Sequence, residues 1–177
     1  MRQYLTFELE RRRYAVSVEH VNSVLDPQAI TPLPQGSGIV TGLTNVRGNV
    51  VPVFDPRETL RKTKVDDERI DAKIVKKKAQ ASMVLVDGEH EDGGIVIFEV
   101  PNGTFLPFIG LQADRIGKVV NLEESDISIV PSFLPEEAAR YYEGFCFIGG
   151  TRHSIINLQE LASKDVLFYQ NGGGPRA

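Results

Sequence analysis

The chain repeats itself, and the repeat limits what it can fold into. Gly42-Leu43 recurs as Gly144-Phe145, Gly48 as Gly150, Val53-Phe54 as Ile155-Ile156, and Asp55 with Glu58 as Asn157 with Glu160. Upstream, Val16-Ser17-Val18-Glu19-His20-Val21 pairs with Leu111-Gln112-Ala113-Asp114-Arg115-Ile116 at nearly the same separation. Each copy reads as strand, glycine turn, strand, capped helix, which a duplicated small β-barrel explains economically. The 177 residues include 19 Val and 13 Ile against 14 Leu, with 26 Gly and Pro, and this favours pleated strands broken by turns. Two barrels of roughly 70 residues are each marginal alone, so a shared apolar interface is expected to carry much of the stability.

Local patterns fill in the elements. Tyr4 to Glu10 alternates, Arg11-Arg12-Arg13 interrupts, and Tyr14 to Val18 resumes, predicting a hairpin with a basic turn. Val18, Val21, Val24 and Leu25 fall three or four apart, predicting one short helical turn stopped by Asp26-Pro27. Ile30 to Gly38 predicts an extended loop, and Ile39 to Asp55 two strands joined at Arg47-Gly48-Asn49, with Gly48 at positive φ. Asp55-Pro56-Arg57-Glu58 is a helix start, with an acidic N-cap, proline at the first position and glutamate placed for a capping box. Beyond it, Met83–Val86, Ile95–Val100 and Phe105–Leu111 predict strands, 87–94 an acidic turn, Pro135–Tyr141 a helical turn, and 164–177 a flexible tail.

Most chemistries are excluded. The histidines, His20, His90 and His153, lie in no nucleophile motif, and Cys146 sits in an alternating run as a small buried hydrophobe. A single cysteine forbids an internal disulfide, and no apolar run approaches the ~18 residues of a membrane span, so a cytoplasmic location is expected. Asp87, Glu89, His90, Glu91 and Asp92 match no metal loop, and Gly36-Ser37-Gly38 lacks the third glycine and lysine of phosphate loops. No cofactor is expected. Residues 61–80 hold eight basic and four acidic residues, which makes a nucleic-acid site the rival reading. Without an aromatic platform the stretch reads better as a solvated, partly helical insertion.

What remains is surface for protein partners. Val18, Val21 and Val24 supply more apolar side chain than an exposed turn needs. The second copy has Gly149 where the first has Arg47, so the turn itself does not require arginine. Arg47 is therefore either an anchor for a partner or an internal clamp between barrels.

The run Gly42-Leu43-Thr44-Asn45-Val46-Arg47-Gly48-Asn49-Val50-Val51-Pro52-Val53-Phe54-Asp55, preceded by Tyr14 to Val24 and Ile30 to Pro34, resembles the hallmark of the CheW family of chemotaxis coupling proteins. Gly110 to Ile116, Ile127 to Pro131 and Gly144 to Leu161 extend the resemblance over about residues 3–163. It implies an all-β fold of two SH3-like five-stranded barrels packed together, with short helices. Within a single domain of residues 1–163, the first barrel would span about 12–60 plus the strand 3–10 and elements shared between the barrels, an insertion would occupy about 61–94, and the second barrel would span about 95–163. It also implies a non-catalytic adaptor between the cytoplasmic tip of a chemoreceptor and the regulatory domain of a CheA-type histidine kinase, with nucleic acid not expected as a partner. Carried over by position, Val18, Val21, Val24, Asn45, Arg47 and Gly48 would face the receptor, and Thr41, Gly42 and Phe145 the kinase. Ser23 stands where the family often has an acid, and the charged stretch from 61 to 94 is longer than usual.

Overall fold

The computed structural model describes residues 1–33, 40–62, 67–74, 83–84, 92–99 and 108–161, with the side chains of Glu58, Lys62, Met83 and Val84 outside the description. Of the loop expected at Ile30–Gly38, Thr31 and Pro32 form a two-residue strand against Leu43 and Gly42, and residues 34–38, most of the acidic turn and the tail lie outside the described residues. The hairpin of β1 (Arg2–Leu9) and β2 (Arg12–Ser17) turns at Glu10 and Arg11, whose φ angles are 50° and 67°. A two-residue turn with both φ positive matches the strand twist, so Arg12 and Arg13 belong to β2 and not to the turn.

Ser17 caps a 3₁₀ turn at Val18–His20, and the chain continues as β3 (Val21–Leu25), where the spacing had predicted a helical turn. A bulge between Val21 and Ser23 explains the mimicry. Val21 pairs with Phe98 and Val24 with Val96, so residues three apart share a face of the strand. Then come β4 (Thr31–Pro32), β5 (Val40–Val46), β6 (Asn49–Phe54), α1 (Arg57–Lys62), α2 (Asp67–Lys73), β7 (Met83–Val84), β8 (Gly94–Glu99) and β9 (Phe108–Ala113). The chain continues with β10 (Arg115–Leu122), a 3₁₀ turn at Glu124–Asp126, α3 (Glu136–Ala139), β11 (Tyr142–Ile148) and β12 (Thr151–Ile156). The caps of the two copies hold. The Asp55 carboxylate accepts the Arg57 N–H at 3.0 Å, and the Asn157 amide oxygen accepts that of Glu160 at 3.2 Å.

The strands form two sheets in the orders β11-β12-β2-β1-β10-β7 and β3-β8-β9-β6-β5-β4. This is the expected all-β, two-barrel class, with six strands per sheet because the two-residue β4 and β7 extend one edge of each. Hydrogen bonding does not follow the division at 60 and 95. The β1–β2 hairpin lies in the sheet of β10, β11 and β12, and the β8–β9 hairpin in that of β3 to β6. The two exchanges are alike in detail. β6 runs parallel to β9 through Val53↔Gly110, and β12 parallel to β2 through Ile155↔Ala15, with Val53 and Ile155 equivalent in the repeat.

Central strands are thereby buried on both faces. In β8, Ile95 and Ile97 pack with Val51 and Val53 inside one barrel, while Val96 and Phe98 join a core shared by both sheets. Tyr4, Ala15, Val120, Leu122, Cys146 and Ile155 fill the other barrel. The shared core draws Leu5, Phe7 and Leu9 from β1, Phe54 from β6, Leu60 from α1, and Leu161 after the Asn157 cap. The insertion contributes too, contrary to its reading as solvated: Ile70 of α2 is 0% exposed and Ile74 just after it 5%. Because each sheet needs a hairpin from the other half, fragments 1–91 and 92–177 should each lack cooperative unfolding when expressed alone and regain it on mixing. Circular dichroism melts of the separate and combined fragments check this.

Candidate docking site

Strand direction gathers the sequence-predicted residues. β3 is antiparallel to β8, β8 to β9, and β9 is parallel to β6, so β3, β9 and β6 all start at one end of the sheet. That end carries the Val18–His20 turn, Val21, Phe108 and the Arg47–Gly48 turn. The row Val24↔Val96↔Leu111↔Phe54↔Val40 crosses the same sheet away from this end and faces the shared core. Val18, Val21 and Val24 are half-buried against that core, so part of each faces outward.

The turn is built to present Arg47. The Asn45 side-chain oxygen accepts the Gly48 N–H at 2.9 Å, closing the loop, and Gly48 has φ 85°. Arg47 itself has φ 52°, a left-handed conformation costing a side-chain-bearing residue roughly 1–2 kcal/mol. Its counterpart Gly149 adopts φ 60° without that cost. Arg47 is exposed, and no hydrogen bond or ion pair holds it among the described residues, so the structure shows no inter-barrel clamp. Beside it, across the ladder from Asn45, Val50 is 52% exposed. The sequence reading missed Val50, although the repeat contained the signal: the equivalent position holds Arg152, so an apolar residue stands where the other copy has a charge.

The three positions assigned to a kinase divide. Thr41 is exposed, its hydroxyl donating to the Val53 carbonyl at 3.1 Å. Gly42 is buried, and a Cβ there would overlap the Thr31 carbonyl of β4; the equivalent Cβ on Gly144 would lie 2.6 Å from the Ser128 carbonyl. Phe145 is 0% exposed, its ring 5.5 Å from that of Tyr142. The Phe145 side chain therefore serves the core and offers no contact surface, and Gly42 permits a close strand crossing.

Reactive groups are turned inward. Burial pushes the Cys146 thiol up to about 12, which removes its nucleophilic form near neutrality. His153 is buried, its Nδ1–H donates to the Thr151 carbonyl at 2.9 Å, and burial holds the imidazole below its ordinary value of 6.5. Among the described residues no group of three or more His, Cys, Asp or Glu could hold a metal ion.

Two expectations follow from this geometry. Arg47→Gly should raise unfolding stability by about 1 kcal/mol in urea titrations, because glycine adopts positive φ freely. The His153 ring is lowered in the folded state, so its stabilisation is complete above its ordinary value and is lost as the pH falls below about 6.5. The melting temperature of the wild type should therefore drop more steeply on acidification below that point than that of His153→Asn.

Comparison with known proteins agrees with this architecture. The family model described as a CheW-like domain matches residues 3–166. The chain is 22% identical to the chemotaxis protein CheW of Treponema pallidum over 93% of its own length and 84% of that protein's. It is also 22% identical to CheW of Klebsiella aerogenes, over 92% and 82%. The crystal structure of the scaffolding protein TtCheW from Thermoanaerobacter tengcongensis superposes with a TM-score of 0.64 at 21% identity, covering 93% of this chain and 94% of that one.

Proposed function

This chain belongs to the CheW-like domain family, a family of chemotaxis scaffold proteins, and from that premise we propose that it is the adaptor joining a chemoreceptor tip to the regulatory domain of a CheA-type histidine kinase. It acts without catalysis, in the cytoplasm, recruited to membrane-associated receptor arrays. No helix among the described residues is long and apolar enough to cross a membrane.

One observation supports the receptor face above the others: Arg47 keeps a costly backbone conformation with no hydrogen bond or ion pair among the described residues, beside the exposed Val50 and at the end of the sheet where β3, with the half-buried Val21, also starts. Arginine is enriched at binding hot spots, and its guanidinium fork reads carboxylates and carbonyls on a helix laid across it. Thr41 is the kinase-facing residue with an exposed side chain, while Gly42 and Phe145 act from within by setting the path of β5 and β11. Holding both partners raises the effective concentration of each for the other, so modest affinity at either face suffices.

The rival nucleic-acid reading draws no support from the described part of the insertion. Asp67 and Asp71 there neutralise Arg12 and Arg152 of the barrel, and the Arg69 guanidinium lies 4.2 Å from the centre of the Phe133 ring.

The test is calorimetric titration with the kinase regulatory domain and, separately, with a soluble receptor signalling fragment from the same organism. Arg47→Gly should weaken receptor binding by about 2 kcal/mol, near thirtyfold, and leave kinase binding within twofold. If the folded wild-type protein binds neither partner, the adaptor reading is wrong.

A further inference from the structure

The repeat that maps Gly48 onto Gly150 maps Val50 onto Arg152, so the end of one barrel that bears Arg47 and Val50 has an equivalent end on the other. There β12 and β2 start side by side, at Thr151 and Arg12. The first end is bare among the described residues, and the second is occupied by α2. Asp67, Ile70, Asp71 and Ile74 fall at i, i+3, i+4 and i+7, one face of a helix. Arg152 Nη1 donates to the Asp67 carbonyl at 3.0 Å and to Asp71 Oδ1 at 2.9 Å. Its Nη2 bonds the Asp67 carboxylate, and Arg12 adds an ion pair to the same group at 3.3 Å. Ile70 and Ile74 complete the contact in the shared core. The opposite face, with Glu68, Ala72 and Lys73, is exposed.

A seven-residue helix does not persist in water alone, so α2 is helical only because it is seated. It relates to the barrels as a bound peptide does to a groove, with acids on arginines and isoleucines in an apolar floor. We propose that this seat, formed by Arg12, Arg152, Tyr14 and Tyr142, is a docking site for an acidic amphipathic helix of a partner protein, kept occupied by α2 in the free chain. The partner helix carries the pattern of α2, acid-x-x-apolar-acid-x-x-apolar, and enters by displacing it. This site uses residues different from those of the Arg47 face, so either assignment can fail without the other.

The experiment uses a fluorescein-labelled synthetic peptide of residues 65–76 as probe. It is titrated into the full chain as wild type, as Ile70→Asp, and as the double variant Asp67→Lys/Asp71→Lys. Both variants are expected to melt cooperatively and to bind the probe at least tenfold more tightly than wild type, by fluorescence anisotropy. Adding Arg152→Glu should abolish that gain, and raising salt should weaken it. Equal binding by wild type and variants, or no binding by a folded variant, overturns the proposal. Loss of cooperative unfolding in both variants overturns it as well, because α2 would then be an inseparable part of the core.

Discussion

The structure depends on a reciprocal exchange of hairpins. Each sheet takes in a hairpin from the other half of the chain, through Val53↔Gly110 in one and Ile155↔Ala15 in the other. Neither half closes its own hydrogen-bond ladder, and the unpaired edges this would leave are costly to a marginal barrel. The apolar runs of the central strands have the same origin. Ile95-Val96-Ile97-Phe98 is buried throughout because one face lines a barrel and the other lines the core between barrels. Selection for two small domains thus becomes selection for one body with a common interior.

Local signals were legible wherever a single residue type solves a single backbone problem. Gly48 at φ 85°, Asp55 and Asn157 as caps, and the Tyr4–Ser17 hairpin are of this kind. Signals that depend on a distant partner were not. β3 imitates a helical spacing because a bulge against β8 realigns Val21 with Val24. β10, which lies against β1, went unread because Gly117 and Lys118 break its alternation, and its place is set by a strand more than a hundred residues earlier. α2 read as solvated because its charges dominate the composition, whereas the acids face arginines of the barrel and the isoleucines face its core.

The candidate site divides in the same way. Position and family resemblance pointed to Arg47, and the structure adds the reason to single it out: a backbone angle that suits the Gly149 of the second copy is imposed on an arginine in the first. Val50 was visible only as a contrast with Arg152. Phe145 lines up with Leu43 in the repeat, but the core claims it entirely. Burial cannot be read from a residue's place in a motif when neighbouring strands come from the far end of the chain.

Besides its excursion through β7, the chain passes from one sheet to the other at Ser17–Val21 after β2 and at Ala113–Arg115 after β9, with a mechanical consequence. Two domains joined by one linker bend about it, but two sheets stitched at separate crossings and packed on one shared core would have to open that core to bend. A ligand on the Arg47 end would therefore keep a fixed angle to one on the opposite barrel, the body between them acting as a rigid bracket.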